Sequence, residues 1–378
     1  MTTLEGWIAQ RSGFQRGSIH YGTHIQAIDV RGPAVATPGD DAPRIVPGFI
    51  DVHVHGGEGA DTMDGAEGTA HLAAFHARHG TTTILPTTIT NPMERVLAAL
   101  DGVRAAQQHG GSRVLPDMPG AHLEGPFISP RRLGAQPPET VLPTPANIDA
   151  VLERGVVRVV TIAPEIGGAV AAARRMAAAG VRISIGHTRA DAETVRAFVD
   201  AVEAEGGTVG FTHLYNAMGG LAGREPGVVG ACFASPTAHA ELILDGHHVH
   251  TTSFLAAHAA LDDRLLFVTD AIRATGLGDG PSELGGQAID VQGGAARLPD
   301  GTLAGSVLTM DQAFRNAVEA ATPLAAAVRL TSTNAAAYLG LDDRGRIEVG
   351  LRSDLVLLDA NLRVRKVLVA GREVPDVG

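Results

Sequence analysis

Two histidines, His53 and His55, stand two residues apart at the end of the run Pro47-Gly48-Phe49-Ile50-Asp51-Val52-His53-Val54-His55-Gly56-Gly57. Alternate residues of a strand project to one face, so both imidazoles can reach a single cation. The pair reads as half of a metal site, although among 16 histidines such a pair also arises by chance. Further candidate ligands end later apolar runs: Glu124, His187, His213 and Asp270. Nitrogen and carboxylate donors without thiolates suit zinc, iron(II) or manganese. A bound divalent ion lowers the pKa of water toward ~7 and polarises a carbonyl, which makes hydrolysis the default reaction class. Cleavage of an amide also needs a carboxylate that takes a proton from the water and passes it to the departing amine. Asp270, ending Phe267-Val268-Thr269-Asp270, suits that role; the plainer reading is a buried aspartate capping a turn.

Those residues need a scaffold that brings distant chain segments to one rim. Short apolar or β-branched runs alternate with Ala-rich stretches of helical period, the pattern of a parallel sheet. Eight strands are expected at Phe49–His53, Thr81–Pro86, Gly120–Glu124, Val157–Ala163, Val181–Gly186, Thr208–His213, Glu241–Asp245 and Leu265–Asp270. Helices are expected at Glu67–His79, Pro92–His109, Asn147–Arg154, Ala169–Ala179, Ala190–Glu205 and Thr251–Leu261. Eight such repeats predict an α/β fold, a (β/α)8 TIM-like barrel whose catalytic groups sit at the carboxyl ends of the strands. That architecture converges all six candidate ligands, whereas His71, His76, His79 and His109 fall on helices as surface or packing residues.

The flanks differ. Residues 1–46 carry turn signals among short β-type pieces, and Ser353–Leu358 with Arg363–Ala370 read as two more strands. Residues 1–46 and 350–378 are therefore expected to form a small β-sandwich domain beside a barrel of residues 47–349. A hairpin excursion is expected at Pro281–Arg297, and closing helices at Asp311–Ala320 and Pro323–Leu339.

Composition narrows the function. Apolar residues at 44%, charged residues at 19%, 47 glycines and 21 prolines describe a globular chain with many tight connections. A net charge of −11 disfavours nucleic acid or a membrane surface as partner, since neither polyanion would be attracted. Cys232 is the only cysteine, so neither an internal disulfide nor a cysteine metal cluster can form. No run approaches a bilayer span and Met1–Glu5 lacks a signal-peptide pattern, so a cytoplasmic location is expected. Lys366 is the only lysine, which removes lysine chemistry from the barrel.

The ordered segments Pro47–Gly57, His122–Phe127, Gly186–Thr188, Thr212–Met218, Gly223–Gly227, Asp245–Val249, Val268–Ala271 and Leu303–Ser306 make the resemblance specific. The chain resembles the amidohydrolase superfamily and, within it, the N-acetylglucosamine-6-phosphate deacetylase family. Many binuclear superfamily members bridge their metals with a carboxylated lysine; with no barrel lysine here, the resemblance assigns the bridging or anchoring role to Glu124. It implies one or two divalent ions, zinc foremost with iron or manganese as alternatives. Either Glu124, His187 and His213 hold one ion, or Glu124 also bridges to a second beside His53, His55 and Asp270. It further implies a phosphorylated amino sugar as substrate and a homodimer. Arg224, reaching in from the neighbouring subunit, and His248 match positions that bind the sugar phosphate, while Asn216 and the Ala217 backbone match further substrate contacts. His247 and His250 flank His248, and only the match to the family pattern prefers the middle residue.

One departure stands out: Gln136 occupies a position, twelve residues after Glu124, where the family commonly has a histidine near the acetyl carbonyl. A glutamine donates hydrogen bonds but carries no charge. The implied activity is conversion of N-acetylglucosamine 6-phosphate and water to glucosamine 6-phosphate and acetate. Competing readings are a deacetylase of another N-acylated amino sugar, either the galactosamine 6-phosphate epimer or an unphosphorylated sugar, and a non-catalytic phosphosugar sensor. Phe127–Glu139 and Met218–Gly230 are expected to be long connections acting as lids beside the site.

Overall fold

The structure is a computed structural model and describes residues 2–108 and 113–375. Eight strands occur where the apolar runs predict them: Phe49–Val54, Thr81–Thr88, Ala121–Glu124, Val157–Ile162, Arg182–Ile185, Val209–Phe211, Ala240–Leu242 and Leu265–Phe267. The first six form one parallel sheet in chain order, and the seventh and eighth pair in parallel through Leu242 and Phe267. Backbone bonds close the circuit at both gaps. Leu214 N–H donates to Glu241 O at 2.8 Å, and Asp270 N–H donates to His53 O at 2.8 Å. A closed ring leaves no strand edge, which is how a short-stranded parallel sheet avoids exposed amides.

The helices cover the ring because their apolar residues recur at helical spacing. Ala192–Glu203 buries Ala192, Val195, Phe198, Val199 and Val202 against the sheet, and the Asp191 side chain accepts from Thr194 N–H at 2.8 Å to start it. That cap satisfies a helix-end donor and is worth about 1 kcal/mol. The expected helix Pro92–His109 is found as Met93–Gln108; His109 lies outside the described residues. One α-helix was missed: Gly227–Ala234 begins in the last four residues of what the sequence presents as the connection Met218–Gly230 and runs beyond it. Pro226 and Gly227 suggest a loop, but proline and glycine are tolerated at a helix start, and Val228, Val229 and Cys232 bury its inner face.

The two termini meet in one seven-stranded sheet. Its order is Arg372–Glu373, Val364–Val369, Leu355–Leu358, Arg44–Pro47, Thr2–Gln10, Gly13–Tyr21 and Ile25–Val35. Arg44–Pro47 pairs with both N-terminal and C-terminal strands and runs through Gly48 into the first barrel strand, so this sheet and the barrel share one stiff connection. The excursion after the eighth strand is a three-stranded sheet of Gly280–Leu284, Gln287–Gln292 and Ala295–Arg297. The chain then closes with Met310–Glu319, Leu324–Val328, a π-helical stretch at Arg329–Thr333, and Asn334–Leu339.

The closing helix is tied to the first barrel helix through Asp311. Its carboxylate accepts from Arg315 at 2.8 Å and Thr309 at 2.6 Å, and meets His79 Nδ1 at 3.2 Å. Burial alone would raise the Asp311 carboxyl, but His79, Arg315 and Thr309 together hold it at about 2 against an ordinary 3.8. Such a depressed carboxylate stabilises the fold above its unfolded pKa and loses that contribution as pH falls through its folded one. Asp311→Asn should therefore cost about 2 kcal/mol at neutral pH. In thermal denaturation, the gap between native protein and variant should shrink as pH falls from about 4 toward about 2. A gap that stays constant across that range would show that the carboxylate charge is not what stabilises this junction.

Candidate active site

Glu124 ends the third barrel strand and is 2% exposed at the carboxyl rim. Its two oxygens face different partners. Oε1 lies 3.1 Å from His187 Nε2 and 3.1 Å from His213 Nε2, and those nitrogens are 3.0 Å apart. Oε2 lies 3.1 Å from His55 Nε2 and 3.5 Å from His53 Nε2. Asp270 Oδ1 closes the second group, 3.2 Å from His55 Nε2 and 3.5 Å from His53 Nε2. All six residues singled out by type and position thus converge on one spot, divided into Glu124/His187/His213 and His53/His55/Asp270 with Glu124 touching both.

The donor set fits a divalent cation. His187 Nδ1 donates to the Arg132 carbonyl at 3.2 Å, and His53 Nδ1 lies 2.9 Å from Glu241 Oε2. When Nδ1 is occupied as donor, Nε2 presents a lone pair to the centre. Lone pairs of imidazoles and carboxylates that converge at 3.0–3.5 Å repel unless a proton or cation lies among them. Four ligand atoms at tetrahedral zinc distances of about 2.0–2.2 Å would be about 3.3 Å apart, which these spacings match.

The electrostatics follow from the same crowding. Burial opposes protonation of His53, yet the Glu124, Asp270 and Glu241 carboxylates hold its pKa well above the ordinary imidazole value. Burial likewise opposes charge on His55, but hydrogen bonds to Asp270 and Glu124 raise it to about 9. Burial pushes the Glu124 and Asp270 carboxyls up, and the surrounding imidazoles outweigh it, so both lie below the usual carboxylate range. Both acids are therefore ionised at neutral pH, as ligands or as a proton acceptor must be.

Local backbone geometry aims these side chains inward. His187, His213 and Asp270 have φ of 47°, 32° and 50°, a left-handed region that costs a non-glycine residue about 1–3 kcal/mol. A backbone hydrogen bond to each residue's carbonyl holds the turns: Ser129 N–H to His187 O, Asn216 N–H to His213 O, and Ser306 N–H to Asp270 O. After Glu124 the chain turns at Gly125 with φ 69°, where any Cβ would collide with Thr90 Oγ1.

A cavity of about 170 Å³ opens above the cluster. Asn216, Ala217, His248 and Gln136 line it, and Ile89, Leu284 and Leu303 supply apolar wall. Gln136 has a fixed orientation: Thr90 N–H must donate to its Oε1 at 2.8 Å, which turns Nε2 onto Glu124 Oε2 at 2.6 Å. His248 is braced by Asp245, whose Oδ2 lies 2.7 Å from Nδ1. Arg224 is exposed in the connection before Gly227–Ala234 and does not line this cavity, while His247 is exposed elsewhere.

Among the other histidines, His76 is buried with Nε2 on Gly56 O, His79 meets Asp311, and His71 is a surface partner of Glu58. Sequence reasoning missed Glu241, which contacts His53 from inside the barrel. The available signal was a lone carboxylate within the otherwise apolar strand Ala240–Leu242. Replacing the shared carboxylate, Glu124→Gln, should weaken divalent-metal binding in both groups by more than about tenfold. Elemental analysis after exhaustive dialysis measures this, and native metal content in the variant would remove Glu124 from the ligand set.

The sequence model of the amidohydrolase family matches residues 44–374. The chain is 39% identical to the N-acetylgalactosamine-6-phosphate deacetylase of Escherichia coli O157:H7, over 88% of this chain and 88% of that relative. It is 38% identical to the N-acetylglucosamine-6-phosphate deacetylase of Bacillus subtilis (strain 168), over 89% of this chain and 85% of the relative. Among solved structures, it is similar to a single-substitution mutant of Mycobacterium smegmatis N-acetyl-D-glucosamine-6-phosphate deacetylase in complex with N-acetyl-D-glucosamine-6-phosphate. That match has a TM-score of 0.90 at 36% identity and covers 99% of each chain. With a closed (β/α)8 ring, carboxylates and imidazoles gathered at its carboxyl rim, and a family match spanning the barrel, the chain belongs to the amidohydrolase family.

Proposed function

We propose that this protein is a divalent-metal-dependent deacetylase that hydrolyses N-acetylglucosamine 6-phosphate to glucosamine 6-phosphate and acetate. The observation that carries this reading is Glu124 shared between two imidazole pairs, with ionised Asp270 beside one of them. Glu124, His187 and His213 would hold one ion, and His53 and His55 with Asp270 a second. Zinc suits the nitrogen and oxygen donors best, with iron or manganese as alternatives. When bound, such an ion makes water a nucleophile near neutral pH and polarises the acetamide carbonyl.

The protein's own groups carry the rest. Asp270, held ionised by its imidazole neighbours, takes a proton from the attacking water and returns it to the departing sugar nitrogen. Asn216 and the Ala217 backbone orient the sugar, and His248 offers a donor to the 6-phosphate from the cavity wall. Gln136 lines the acetyl end, but its amide is already engaged by Thr90 and Glu124, so its hydrogen-bond donation goes first to the shared carboxylate.

Among the described residues, those lining the cavity include no arginine or lysine. That supports a homodimer in which Arg224 of one subunit completes the phosphate site of the other, a bidentate task suited to a guanidinium. The catalytic unit is then residues 47–349, carried by the β unit of residues 1–46 and 350–378, and a cytoplasmic location suits a phosphorylated metabolite. A second reading, the galactosamine 6-phosphate epimer as substrate, is favoured by the 39% identical relative of that activity.

Two variants test the assignment. Asp270→Asn should keep metal in the Glu124/His187/His213 group and lower kcat by about 10²–10⁴-fold. Acetate release at the native rate would exclude Asp270 from proton transfer. Arg224→Ala should raise KM for the phosphorylated sugar and leave hydrolysis of the unphosphorylated sugar unchanged. Equal effects on both substrates would refute the phosphate role. Assaying both 6-phosphate epimers with native protein decides between the two substrates.

A further inference from the structure

Glu241 is 1% exposed inside the barrel, on a strand whose neighbours Ala240 and Leu242 are apolar. Its Oε2 accepts from His53 Nδ1 at 2.9 Å and from the backbone N–H of His213 at 3.3 Å. Oε1 has no hydrogen-bond partner among the described residues, and the one ion pair found for this carboxylate is with His53. Taking an ionised carboxylate out of water costs several kcal/mol, and no arginine or lysine among the described residues pairs with it. A leucine would fill the same space without that cost. Both contacts that the side chain does make go to members of the metal cluster, one from each group.

His122 lies beside this pair, its ring centroid 4.6 Å from that of His53, and His53, His122 and Glu241 are close enough to suggest a third ion site. The hydrogen bonds exclude it. His122 Nδ1 faces the Val52 carbonyl at 3.0 Å and must carry the proton, so Nε2 accepts from Thr161 Oγ1 at 2.8 Å. That hydroxyl in turn accepts from Thr212 Oγ1 at 2.8 Å. Both nitrogens of His122 are engaged, and it serves as a wall for the His53 ring.

We propose that Glu241 is a positioning residue for the metal centre. By accepting the Nδ1 proton of His53 it fixes the tautomer that points Nε2 at Glu124 and Asp270. By accepting from the His213 backbone it anchors the left-handed turn that aims the second imidazole. This inference rests on the metal-centre reading and adds a residue that touches neither ion nor substrate.

The test compares native protein, Glu241→Gln and Glu241→Leu in zinc binding, measured by competition with a chromophoric chelator, and in the thermal midpoint of chelator-treated protein. Glu241→Leu should bind zinc about 10–100-fold more weakly, the usual effect of removing such an outer partner. Glu241→Gln keeps an acceptor oxygen for His53 Nδ1 and should fall between the two. Glu241→Gln keeps the acceptor for His53 Nδ1, so its metal-free midpoint should stay near native, whereas Glu241→Leu removes the buried partner of His53 and should lower it. Zinc affinities equal to native would overturn the proposal. So would equal losses of affinity and equal falls of the metal-free midpoint in the two variants, the signature of a purely structural role. If native protein bound no zinc, the metal-centre reading would fall first and this inference with it.

Discussion

The arrangement depends on one carboxylate whose oxygens serve different partners. Glu124 is fixed at the end of its strand, with Oε1 between His187 and His213 and Oε2 toward His53 and His55. Four imidazoles from three separate strand ends must therefore stand within hydrogen-bond distance of a buried anion. Backbone conformations that would elsewhere be unfavourable follow from this demand. His187, His213 and Asp270 turn their side chains inward just past the sheet, where the rigid barrel and backbone bonds to their carbonyls hold the strained turns.

Charge at the centre has few sources. The sole lysine, Lys366, pairs with Glu373 on the terminal sheet, far along the chain from the barrel segments. Arg132 reaches the loop beside the site but spends a donor on Met218 O, while its own carbonyl orients His187. Positive charge among the clustered carboxylates must come from protonated imidazoles or a bound cation. That is why His53 and His55 hold protons tightly in the protein alone, and why a cation binding there has to displace them.

Outer contacts give the cluster its directions. Glu241 below engages His53 Nδ1 and the His213 backbone, while the Arg132 carbonyl beside it and Gln136 above each engage one atom of a cluster residue. The glutamine is instructive because Thr90 N–H fixes its amide orientation without ambiguity. One of its two donors is spent on Glu124 Oε2, and unlike a histidine it cannot take up a charge there.

Strand positions and the six converging side chains were legible in the sequence because a period of two and abrupt apolar run ends are local signals. Ligand types followed from side-chain chemistry, and the absence of a barrel lysine followed from counting. The helix Gly227–Ala234 was hidden because Pro226 and Gly227 mark a helix start and a loop equally well, and only packing of Val228 and Val229 decides between them. Glu241 escaped because its importance lies in contact with a residue 188 positions away, a relation that no local pattern encodes. Residue types and order thus fixed which groups could bind a cation, whereas ring closure alone decided which oxygen of Glu124 faces which imidazole. Such distances depend on strand register and the turn at each strand end, which the chain settles only when all eight strands pack together.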